Sequence, residues 1–113
     1  MEAPTINWSD FEKVEIRVGT VLTAQPFPEA RNPAYKLTVD LGPLGMKQTS
    51  AQITKRYDPL QLVGRQVLAV TNFPPKMIAG FRSEVLVLGA VPGEGDVVLV
   101  NLDEEVPDGT RIL

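Results

Sequence analysis

This sequence predicts an all-β fold, a five-stranded Greek-key barrel with short helical segments and a C-terminal extension. Three observations carry that expectation. Apolar and polar residues alternate with period two in two separate stretches of the first half, near-continuous apolar runs recur in the second, and Gly- and Pro-rich turns separate them. The 113 residues make one domain, 1–113, with no internal repeat or low-complexity linker. With 43% hydrophobic and 22% charged residues, the chain has the composition of a compact folded body.

The elements follow in order. Ser9 and Glu12 have capping-box spacing and predict a short helical turn before the first strand. Val14, Ile16, Val18 and Leu22 alternate with Glu15, Arg17, Gly19 and Thr23, with Thr20 keeping the inward phase, and Pro26 and Pro28 stop that strand. Leu37, Val39 and Leu41 alternate with Lys36, Thr38 and Asp40 as a second strand. Gly42-Pro43-Leu44-Gly45 is turn chemistry, and Met46 to Ser50 returns as a third strand. Thr49 and Gln52 repeat the capping-box spacing, which predicts one to two helical turns over Ile53 to Tyr57. Asp58-Pro59-Leu60-Gln61 reads as an N-cap with Pro at the first helical position, closed by Gly64.

The runs Val67 to Val70, Val85 to Leu88 and Val97 to Val100 show no polar face. A strand of that kind has both faces covered, and in so small a chain a second subunit is the economical cover. Two strands with a returning third, a helical segment, then two more strands is the order of the OB-fold barrel.

Composition narrows the function. There is no Cys and no His, which excludes disulfides, thiol nucleophiles, Cys-based zinc sites and a Ser-His-Asp triad. With no Gly-rich nucleotide loop either, the expectation is a binding protein, not an enzyme, with no cofactor and no metal. Glu84 with Tyr57 or a Lys is the only remaining catalytic material, and residue availability alone supports it. No run of apolar residues approaches a membrane span and no signal peptide precedes the first strand, so a cytoplasmic protein without membrane insertion is expected.

The net charge of −3 is segregated: residues 47–82 carry six basic groups against Asp58, whereas residues 84–113 carry seven acidic groups against Arg111. A positive face on an acidic protein follows, set against the ordinary reading of solvated surface. Asp103-Glu104-Glu105 with Asp108 lacks the spacing of a calcium loop and reads as a solvated edge.

The stretch Asn72 to Glu84 joins two apolar strands and gathers Phe73, Lys76, Phe81 and Arg82. Aromatic rings beside cations on a barrel rim suit stacked bases and phosphates, and equally an extended peptide with carboxylates. Taken singly, each Phe is more often a core residue. Lys47, Gln48, Thr49, Ser50 and Gln52 form a polar run, either a rim of donors and acceptors or a set of helix caps. Arg31 lies in the loop between the first two strands, which borders the ligand face of an OB-fold.

Glu15-Ile16-Arg17-Val18-Gly19, Lys36-Leu37 with Val39-Asp40, Lys47 through Thr54, and Asn72 through Glu84 together resemble the tRNA-binding-domain family, and within it the export-related chaperones. The resemblance runs from about Asp10 to Gly109. It implies an OB-fold, a homodimer, binding of unfolded or precursor proteins, and a link to the secretion ATPase SecA. Members that bind tRNA commonly follow the Ser-Glu pair with Gly-Met; here Ser83-Glu84 is followed by Val85-Leu86. A tRNA or structured-RNA binder using the same groove is the alternative. The resulting candidate contact residues are Arg31, Lys47, Gln48, Ser50, Asn72, Phe73, Lys76, Phe81, Arg82 and Ser83.

Overall fold

A computed structural model of the chain describes residues 2–113. A short helix α1 (Trp8–Glu12) precedes the long strand β1 (Ile16–Pro26), which is followed by β2 (Tyr35–Asp40), a 3₁₀ turn at Gly42–Leu44 and β3 (Met46–Ala51). After the one-turn helix α2 (Pro59–Leu62) come β4 (Gln66–Val70), the hairpin β5 (Lys76–Ile78) and β6 (Phe81–Ser83), β7 (Leu86–Val87), the hairpin β8 (Gly89–Gly93) and β9 (Asp96–Leu99), and β10 (Arg111–Ile112). The main sheet has the order β3-β2-β1-β4-β7, antiparallel at every pairing, with β10 added to β1.

The strand β1 organises the barrel. Thr20 faces both Asp40 and Gln66, and Ile16 faces both Val70 and Ile112. Hence β4 runs along one edge of β1, while β2 and β10 share the other. The expected period-two phase breaks in the middle of this strand. Val21 pairs with Val39 and Thr23 with Thr38, so Leu22 is an extra, bulged residue. Val21 is fully buried and Leu22 is 39% exposed, the reverse of the sequence expectation. Gly19, read as polar-phase, faces the core, because a Cβ there would lie 2.5 Å from Val39.

The core joins Val21, Leu37, Val39, Leu41, Ile53, Leu62 and Val67. Side chains from β1 to β4 and α2 therefore meet inside the barrel, each in the phase its strand dictates. The other face of β4 is closed too: Leu68 is 8% and Val70 3% exposed within the single chain. The cover that the apolar run called for is here supplied by the chain itself. Leu86 and Val100 remain 48% and 39% exposed, so the later runs do leave apolar surface.

Two helical expectations are corrected. The N-terminal helix is capped by Asn7, whose backbone N–H donates to Asp10 at 3.0 Å, instead of by Ser9. Residues 53–57 form turns and no helix, because β3 continues through Ala51 and Thr49 is a buried strand residue opposite Leu37. The Asp58 to Gln61 reading holds, with the Gln61 side chain accepting the Asp58 N–H at 2.8 Å.

The β8–β9 hairpin is tied to the barrel by Arg56, which donates to both carboxylate oxygens of Asp96 at 2.5 and 2.8 Å. The guanidinium hydrogen bond holds the Asp96 carboxyl below the usual carboxylate range. A carboxyl depressed by folding adds stability above its unfolded value, and that increment disappears as pH falls through the folded value. Asp96→Asn should therefore lower the melting temperature at neutral pH, and the difference should shrink at about pH 2, below the unfolded carboxyl's value. Thermal unfolding of both proteins at the two pH values checks this; equal differences at both would contradict it.

Candidate functional site

The site is built where the barrel seam opens. Between β3 and the β6–β7 segment the ends of the sheet meet through few backbone bonds and several side chains. Glu84 donates its backbone N–H to Gln48 C=O at 2.9 Å, and Gln48 N–H donates to the Glu84 carboxylate at 3.0 Å. The Gln48 side-chain amide donates to Arg82 C=O at 3.0 Å. Thr49 donates its hydroxyl to Val85 C=O at 2.6 Å, and Ser50 N–H donates to the Ser83 hydroxyl at 3.0 Å. The polar run on β3 and the Ser-Glu pair, 33 to 36 residues apart, are thus two halves of one seam. A side-chain seam suits a barrel whose end strands diverge, because a side chain bridges a gap too wide for a backbone ladder.

Beyond Ser50 the seam parts into a groove of about 410 Å³. Its apolar wall comes from Ile53, Leu86, Val91 and Val97, and its rim from Ser50, Gln52 and Lys76. An adjoining cavity of about 270 Å³ shares Ser50, Gln52, Lys76 and Ile78 and adds Arg31, Asn32 and Met77. A third, of about 530 Å³, continues past Gln52 to Lys55 and Glu94. The three form one trench, apolar at one end and cationic toward the other, with Gln52 lining every part. Arg31 and Lys76 have no ion-pair partner among the described residues.

The trench brings together Arg31, Ser50 and Lys76, with Ser83 on its seam side. Gln48 and Arg82 meet one another at the seam, where Arg82 also lies 3.9 Å from Glu84 and stays 60% exposed. Phe81 packs edge-on against the buried Phe27 at 5.4 Å, and the Lys36 ammonium sits 4.6 and 5.2 Å above the two rings. This places a fixed cation on the outer face of β2, which is the cation–π arrangement. Asn72 lies elsewhere: its side chain accepts Glu15 N–H at 2.9 Å and donates to Lys13 C=O at 2.6 Å, fastening the approach to β1. Phe73, half exposed, does not line the trench, and Lys47 stands opposite Val39 near the far end of β3.

Sequence reasoning missed Leu86, Val91, Val97 and Lys36 as members of this surface, whereas Gln52 belongs to the polar run it singled out. Lys36 carried a signal, the outward phase of β2; the others depend on which strand edges diverge. The acidic C-terminal stretch is split. Residues 103–105 are exposed, whereas Asp108 accepts from the Thr20 hydroxyl at 2.7 Å and fastens the tail to β1. Glu84 and Tyr57 are each taken up by other partners: the Tyr57 hydroxyl accepts Leu99 N–H at 3.0 Å and Glu84 accepts Gln48 N–H at 3.0 Å.

A near-closed five-strand barrel with a trench at its seam defines the class as an OB-fold binding domain. Residues 16–111 match the family described as "Putative tRNA binding domain", and the chain belongs to that family. Among solved structures it is similar to the chaperone CsaA of Bacillus anthracis, at 57% identity and a TM-score of 0.94, covering 97% of this chain and 100% of that one. It is also similar to the CsaA chaperone protein of Picrophilus torridus, at 44% identity and a TM-score of 0.89, covering 96% and 100%. Among curated proteins, a methionine–tRNA ligase of Rhodopirellula baltica is 41% identical over 110 residues, which are 97% of this chain. The chain spans only 16% of that ligase's length.

Proposed function

We propose that this protein is a non-catalytic, homodimeric chaperone of the cytoplasm that holds unfolded or precursor polypeptides in the seam trench. One observation carries the reading: the trench passes from an apolar wall at Leu86, Val91 and Val97 to Lys76 and Arg31, cations with no ion-pair partner among the described residues. Unfolded chains present apolar side chains with charges interspersed, and apolar contact supplies about 25 cal/mol per Å² of surface removed from water. Cations on the rim add on-rate and selectivity. The likeness to the two CsaA chaperones supports the same reading. The process needs no cofactor, and a link to SecA follows the family resemblance alone.

A second reading, binding of tRNA in the same trench, is favoured by the family match and by the methionine–tRNA ligase relative. Titration with a labelled unstructured peptide and with tRNA, each at two salt concentrations, separates the two. For a peptide ligand, Lys76→Ala with Arg82→Ala should cost about 1 kcal/mol and leave binding in moderate salt intact. For RNA the same pair neutralises phosphates, so the double variant should lose most affinity and flatten the salt slope by about two. Steep salt dependence for tRNA with no binding of denatured protein at low salt would reverse the order of the readings.

The dimer has its own test. The exposed Ile6, Trp8 and Val100, none of which lines the trench, provide apolar surface for an interface, which should bury on the order of 1,200 Å² or more in total. Sedimentation at micromolar concentration should show a species of twice the 12.3 kDa chain mass. A monomer alone would refute this part of the proposal.

A further inference from the structure

The walls of the trench are strand edges with unpaired backbone groups. Antiparallel pairing directs the N–H and C=O of alternate residues to opposite sides. On β3 the even positions point away from β2: Gln48 N–H and C=O bond Glu84, and Ser50 N–H bonds Ser83. Gln52, the residue after β3, lines the trench, and its N–H and C=O have no hydrogen-bond partner among the described residues; the same alternation, continued by one residue, would direct both into the trench. Across the trench, Leu88 N–H donates to Leu68 C=O, and the register Ala69 to Val87 then turns the Val87 N–H and C=O away from β4 toward β3. Val85, two residues earlier, already sends its C=O that way to Thr49.

We propose that the trench takes an extended polypeptide segment as an added strand on the β3 edge, its main chain paired with Ser50 C=O and the Gln52 N–H and C=O. This rests on the polypeptide reading of the site and specifies how the chain is held. Alternate side chains of an added strand fall on opposite faces. One set would meet the apolar lining at Ile53, Val87 and Val97, and the other would lie beside Lys76, whose charge, with no ion-pair partner among the described residues, favours a carboxylate. The occupant is therefore a segment of alternating apolar and acidic residues. Capture through the main chain is tolerant of sequence, which a holder of many clients requires, and the pockets add selectivity.

The test uses the full chain and a short, labelled, unstructured peptide of alternating leucine and glutamate. The peptide is made unmodified, N-methylated at the leucine amides, and N-methylated at the glutamate amides. A strand added to one edge uses every second amide, so one methylated form should bind at least tenfold more weakly than the other. Amide hydrogen exchange at Gln52 should slow at least tenfold on binding the unmodified peptide, a readout that requires no variant protein. Binding of all three forms within twofold, with Gln52 exchange unchanged, would overturn strand addition and leave the polypeptide reading standing. No binding of the unmodified peptide beside clear binding of tRNA would overturn both.

Discussion

Gly42→Ala should destabilise the fold by about 3 kcal/mol or more, the sum of a left-handed backbone cost and overpacking against a rigid neighbour. Gly42 has φ 62°, and a Cβ there would stand 2.2 Å from the Asp108 carbonyl oxygen. That neighbour cannot give way. Asp108 accepts from Thr20 at 2.7 Å and Gln66 at 3.2 Å, and Gly109 N–H donates to Val18 C=O at 2.7 Å. Inserting a methyl group would lift the C-terminal segment off β1. Gly64→Ala is the matched control, since Gly64 has φ 86° with nothing within 4 Å of its Cβ position. It should cost only the conformational share, about 1 kcal/mol. Urea unfolding of the two variants measures the difference as a change in midpoint at constant slope. Equal losses would mean that the Gly42 to Asp108 contact does not constrain the fold.

Thr49→Val should cost about 2 to 3 kcal/mol, although it keeps the side chain's shape and adds apolar surface. Thr49 is fully buried. Its single proton goes to Val85 C=O at 2.6 Å, so the 3.2 Å contact with Ser83 is made by the Ser83 hydroxyl donating to Thr49. Ser83 in turn accepts Ser50 N–H at 3.0 Å, giving one relay from the backbone of β3 to the backbone before β7. Valine at this position would strand the Val85 carbonyl and the Ser83 proton at a buried seam, and an unsatisfied buried group costs more than a made bond returns. Thr38→Val, on the outer face of β2, should change stability by less than about 0.5 kcal/mol. Thermal unfolding of both variants checks the contrast, and a Thr49→Val protein as stable as the parent would show that the seam is held by β1 to β4 alone.

Thr49 and Asn72 mark how far the candidate site was legible. That a polar run at Gln48 to Gln52 and the Asn72 to Glu84 stretch belong together was readable from their chemistry, and Arg31, Ser50 and Lys76 do share the trench. Which residues close the barrel and which line the opening was not readable. Thr49 looks like a helix cap because Thr, Gln and their spacing are what a cap requires; its actual partner, Val85, is 36 residues away. Asn72 looks like a ligand contact because a side-chain amide suits either a base or a peptide, and it is instead committed to Glu15 and Lys13.

By itself, the sequence determined the all-β class, the strand order up to β4, the turn at 42–45 and the exclusion of thiol and imidazole chemistry. Each of these depends on local periodicity, turn residues or composition, which neighbouring residues settle among themselves. Tertiary structure alone decided three other features. The inward phase of β1 falls on Gly19 and Val21, which meet Val39, and the bulge at Leu22 then shifts it to Ala24. The outer face of β4 is covered by the chain's own segments, a matter of where the later strands return. The seam opens beyond Ser50 because the edges of β3 and β7 diverge there, and divergence depends on the twist of the whole sheet, which no single stretch of sequence records.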